Sequence, residues 1–92
     1  MNQYVIQRDL PGAGNLSAEQ LADISTRSVE VLQEMSGIEW VHSYVTTDRI
    51  YCVYFAEDEA LVLEHARRGG FPCTQVALVS SIISPATARQ VA

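Results

Sequence analysis

The 92-residue chain carries eleven acidic residues against six arginines and no lysine, for a formal net charge of −5. That balance excludes a nucleic-acid partner, because neutralising phosphates takes a basic stripe and only Arg67 and Arg68 are adjacent. No apolar run is long enough to span a bilayer, and no charged N-terminal region precedes an apolar one, so a cytoplasmic protein without a membrane partner is expected. A chain of this size forms one domain with a modest core and much exposed surface, which makes a homodimer the natural expectation. Cys52 and Cys73 are too few for a disulfide framework and fit no zinc spacing, so reduced thiols are expected.

In chain order, Gln3 to Arg8 reads as a strand, ended by the Pro11-Gly12-Ala13-Gly14-Asn15 loop. Ser17 then opens a helix as N-cap, Gln20 completes a capping box, and Leu16 with Leu21 makes a hydrophobic staple. Leu21, Ile24, Ser28, Val31, Leu32 and Met35 recur at helical spacing, and Gly37 supplies the stop. Two strands follow as a hairpin over Ile38 to Ala56, with a short connection at Thr47-Asp48. A second helix is expected from Asp58 to Arg68, with acids at its start, arginines at its end and Gly69-Gly70 beyond it. The last strand, Gln75 to Ile83, is apolar on both faces and is expected to be covered on both.

The order β-α-β-β-α-β predicts an α+β domain over residues 1–84, ferredoxin-like, with both helices on one face of a four-stranded antiparallel sheet; residues 85–92 form a tail. The uncovered face calls for a second subunit, and two such sheets packed together would make a dimeric α+β barrel around a cavity.

The hairpin concentrates the chemistry. Val41 and Val45 alternate with Trp40, His42 and Tyr44, and Tyr51, Val53 and Phe55 alternate with Cys52 and Tyr54. Placing both apolar rows under the helices puts Trp40, His42, Tyr44, Cys52 and Tyr54 together on the open face, provided the loop has an odd number of residues. Taken singly these residues have plainer readings. A strand cysteine packs as a small hydrophobe, a buried tyrosine needs one hydrogen-bond partner, and His65 beside Glu64 is expected on the surface near a helix C-terminus. No HxH, no CxxC and no glycine-rich phosphate loop is present, so no nucleotide cofactor is expected.

The strings Tyr4-Val5-Ile6, Arg8-Asp9-Leu10-Pro11-Gly12, Leu16-Ser17-Ala18-Glu19, Trp40-Val41-His42-Ser43-Tyr44-Val45-Thr46, Tyr51-Cys52-Val53-Tyr54, Glu64-His65-Ala66 and Gly70-Phe71-Pro72 resemble a family of small bacterial proteins described as nickel-responsive or nickel-binding regulators. The resemblance covers nearly the whole chain, departing at Arg49 and Glu57, which are not candidate ligands. It implies a ferredoxin-like fold, a dimer, and a site for Ni²⁺ or another divalent transition metal. His42, Tyr44, Cys52, Tyr54 and His65 are the positions it carries over, and His42, Cys52 and His65 have the donor softness for metal ligation.

Three functions compete. The first is a metal-binding homodimer for sensing or sequestration, built on His42 with Cys52, His65 or a partner residue. The second is a barrel enzyme of the cofactor-free monooxygenase or isomerase type. In it His42 is the acid or base, Tyr44 and Tyr54 orient a small organic molecule, and Trp40 and Phe55 line the pocket. The third is an interaction domain with no small-molecule site.

Overall fold

The computed structural model describes residues 1–90. Four strands and two helices follow one another as β1 (Asn2–Asp9), α1 (Ala18–Gln33), β2 (Ile38–Val45), β3 (Arg49–Ala56), α2 (Glu59–Gly69) and β4 (Gln75–Leu78). The strands form one sheet in the order β2-β3-β1-β4, with every neighbouring pair antiparallel. A short 3-10 turn, Pro85–Arg89, follows the sheet; the last two residues of the expected tail lie outside the described residues. Among the described residues no helix is long and apolar enough to cross a membrane.

The local signals act as the sequence suggests. The Ser17 side chain accepts from the Gln20 backbone N–H at 3.1 Å, while the Gln20 side chain accepts from the Ser17 N–H at 2.9 Å. This satisfies two donors that the first helical turn leaves without partners. Asp58 caps α2 through the Leu61 N–H at 3.1 Å, and Gly70 ends it in the left-handed region at φ 67°. Gly37 is not the stop of α1, which ends at Gln33. Its positive φ of 80° instead turns the chain into β2, close against Glu57 and Leu61.

Cross-strand partners share a face, so the register assigns the two sides of the sheet. Tyr4, Ile6 and Arg8 of β1 oppose Tyr54, Cys52 and Ile50 of β3, and Val62 of α2 joins Tyr4, Ile6 and Tyr54 in the buried core. Leu32 of α1 and Leu61 of α2 pack against that same cluster, so both helices cover this face. The opposite face carries Val5, Tyr51, Val53 and Phe55.

The final strand is the largest departure from expectation. Pairing ends at Leu78, and Leu78, Ile82 and Ile83 are exposed rather than covered on both faces. The cause is topological. β4 is an edge strand whose only neighbour is β1, and the Val79 N–H already reaches the Gln3 carbonyl at 2.8 Å. Among the described residues, those after Val79 make no further pairing with β1.

Candidate functional site

The hairpin loop is Thr46 to Asp48, one residue longer than the expected Thr47-Asp48 connection and so odd-numbered, closed by the Thr46 N–H donating to the Arg49 carbonyl at 2.8 Å. The faces nevertheless differ from expectation in two ways. First, a register shift lies between Trp40 and His42, where Val41 is the extra residue. Trp40 therefore pairs with Tyr54 on the helix side, whereas His42 pairs with Val53 and Tyr44 with Tyr51 on the open side. Second, β3 is turned over. Cys52 and Tyr54 lie buried under the helices, and the apolar row of Tyr51, Val53 and Phe55 faces outward.

The expected cluster is thus divided by the sheet. On the open face only His42 and Tyr44 remain, both exposed, with ring centroids 4.9 Å apart in an edge-on arrangement. On the helix side lie Trp40, Cys52, Tyr54 and His65. His65 is fully buried, not a surface residue as expected; its Nε2 is 3.1 Å from the Ser28 Oγ of α1, and Nδ1 has no partner. Its ring lies 5.2 Å from Tyr54 and 5.4 Å from Phe71. Burial pushes its pKa below the usual value, Ser28 opposes that and Arg8 adds to it, so the ring is neutral near pH 7.

These positions bear directly on a metal. Among the described residues no three His, Cys, Asp or Glu side chains gather into a possible ligand set. His42 faces away from Cys52 and His65, and Cys52 accepts a hydrogen bond from the Arg8 Nε at 3.3 Å. The three candidate ligands do not fit one ion within one protomer.

The feature that sequence reasoning missed is Arg8. It is only 4% exposed, and its guanidinium donates to the Cys52 Sγ, to the Tyr54 Oη at 3.4 Å and to the Pro72 carbonyl. Burial opposes its charge, but Cys52 and Tyr54 outweigh that and hold its pKa above the ordinary guanidinium value. Burial likewise pushes the Tyr54 phenol up to about 12, so it stays protonated. Its signal was visible in β1: Tyr4, Ile6 and Arg8 share one row of an alternating strand, and the third member is charged.

Arg8 forms part of the wall of a cavity of about 400 Å³ between α1 and the sheet. Leu21, Ile24 and Ser28 of α1 line one side, Trp40, Cys52 and Tyr54 the other, and Phe71 closes one end. Phe71 is held there by the chain reversal after α2. A Cβ on Gly69 would sit 2.1 Å from the Phe71 ring, so only glycine lets the ring fold back over the helix end.

Comparison with known proteins agrees with this fold. The crystal structure of SCO4226 from Streptomyces coelicolor A3(2) is similar to the chain, with a TM-score of 0.75 over 88% of this chain and 99% of that one, at 13% identity. No curated protein matches the sequence. The family model for the nickel responsive protein SCO4226-like proteins matches residues 4–79, spanning the sheet, both helices and both faces described above, and the chain belongs to that family.

Proposed function

We propose that the protein is a cytoplasmic, nickel-responsive homodimer of ferredoxin-like domains that binds Ni²⁺ or a similar divalent ion through His42, in sensing or sequestration. The observation that carries this reading is the exposed His42 imidazole on the sheet face that no helix covers. Neutral imidazole suits nickel, and His42 is the candidate soft donor that stands in solvent, since Cys52 and His65 are buried behind the sheet.

One protomer brings one imidazole to that face, so a stable site needs donors from elsewhere. A twofold pairing of open faces would supply a second His42 and would cover Val5, Tyr51 and Phe55, which are half-buried in the single chain. The sheet order and the two helices on one face support the ferredoxin-like description and leave that face available. Membership in a nickel-responsive family supports the choice of metal.

Native mass spectrometry of untagged protein, titrated with Ni²⁺, Zn²⁺ and Co²⁺, tests the proposal. A dimer that takes up Ni²⁺ in preference to the others, and loses uptake in His42→Ala, is the expected result. A monomer at micromolar concentration, or uptake unchanged in His42→Ala, refutes it.

A further inference from the structure

We propose that the cavity under α1 binds a small apolar monocarboxylate, with Arg8 holding its acid group. Taking an ion out of water is costly, and hydrogen bonds to a thiol, a phenol and a carbonyl hold a guanidinium without the carboxylate that pairs with it best. Arg8 is buried, yet among the described residues its partners are a thiol, a phenol and a backbone carbonyl, with no carboxylate in ion-pairing range. Three exposed arginines contrast with it: Arg49 pairs with Asp9, and Arg67 and Arg68 pair with Glu64. Among the described residues Arg8 is the one buried arginine, and no acid pairs with it.

The cavity wall repeats that pattern. It contains Arg8 and Arg27 but no aspartate or glutamate, and its remaining surface is mostly aliphatic and aromatic. Both guanidinium groups lie near the Phe71 ring, Arg27 at 4.8 Å and Arg8 at 5.5 Å from its centroid. A volume of about 400 Å³ lies within the range of small-molecule pockets, which are largely apolar with a few fixed polar groups. Of the five N–H donors on a guanidinium, the protein's own groups engage three on Arg8, leaving two for the oxygens of a carboxylate. The apolar body would then occupy the space between Ile24 and Trp40. This site lies on the opposite side of the sheet from His42 and is independent of the metal proposal.

Trp40 is the only tryptophan and lines the cavity, so its fluorescence reports occupancy. Octanoate and 4-phenylbutyrate would be titrated against their neutral amides in chelator-treated buffer, by fluorescence and by calorimetry. At least one acid should bind saturably, and about tenfold or more tighter than its amide, as a charge-assisted contact requires. Ile24→Trp, which fills the cavity from α1 and is read by calorimetry alone because it adds a second tryptophan, should abolish that binding, and Arg8→Gln should remove the preference for the acid. Because Arg8→Gln can also unfold the chain, the acid-to-amide ratio in the unaltered protein decides the matter. Equal affinity for acid and amide, no binding of either acid at millimolar concentration, or undiminished binding in Ile24→Trp overturns the proposal.

Discussion

The two faces of the sheet divide their chemistry in opposite ways. Under the helices, polar groups are buried and tied to one another: Arg8 to Cys52 and Tyr54, His65 to Ser28. On the open side, polar and apolar residues stand side by side, with His42 and Tyr44 exposed, Tyr51 and Phe55 half-buried and Val53 buried between them. The difference teaches that being buried and being hydrophobic are separate properties here. A side chain can be buried because partners satisfy it, and an apolar row can lie on the face that no helix covers.

The sharpest way to break the comparison is to shorten neighbours on opposite sides of β1. Ile6 is fully buried, so Ile6→Ala should cost about 3 kcal/mol in denaturant unfolding. Val5→Ala, on the open face, should cost under about 1 kcal/mol in dilute protein, where the proposed pairing of faces does not contribute. Equal costs at low concentration would erase the distinction between the faces.

Next in size is the buried polar cluster. Arg8→Met should cost about 2 kcal/mol by chemical denaturation, because Tyr54 and the Pro72 carbonyl lose a partner while the cost of burying a charge is relieved. A variant as stable as the parent would show that the cluster contributes nothing net.

The pH response reports on His65. The folded pKa of His65 lies below its usual 6.5 because burial disfavours the charged ring. Well above pH 6.5 both folded and unfolded rings are neutral, and nothing is lost. As the pH falls through 6.5, the unfolded chain takes up the proton first, and stability declines until the folded ring protonates too. His65→Gln should flatten that slope between pH 7 and pH 5, roughly the range over which an ordinary histidine titrates. His42→Ala should change stability by no more than about 0.5 kcal/mol, because His42 is exposed.

The smallest effect belongs to the helix end. Arg67 and Arg68 hold the Glu64 carboxyl well below its usual 4.5, at about 2. Its contribution is present above 4.5 and disappears as the pH falls through about 2. Glu64→Gln should remove that slight acid dependence, measured by thermal unfolding across the acid range, and leave the behaviour near neutrality unchanged.

Much of the architecture was legible along the chain, and the reason is local. Ser17 and Gln20 cap α1 because a capping box needs only side chains three residues apart. Asp58, Gly70 and the alternation along β1 are likewise decided by near neighbours. The site was only partly legible. His42 and Tyr44 were expected on the open face and lie there, whereas Trp40, Cys52 and Tyr54 do not. Assigning the more apolar row to the helix side failed because Arg8 gives Cys52 and Tyr54 hydrogen-bond partners inside, a contact between residues 44 and 46 positions apart.

By itself, then, the sequence determined where helices and strands begin, which caps hold them and which residues carry reactive groups, since spacing and caps act over a few residues. Tertiary structure alone decided which face each group occupies. One extra residue at Val41 reverses the phase of β2, and a strand has no intrinsic reason to prefer either side until its partners are in place. It also decided where β4 ends, because an edge strand is held on one side alone and its last bond to β1 is made by Val79.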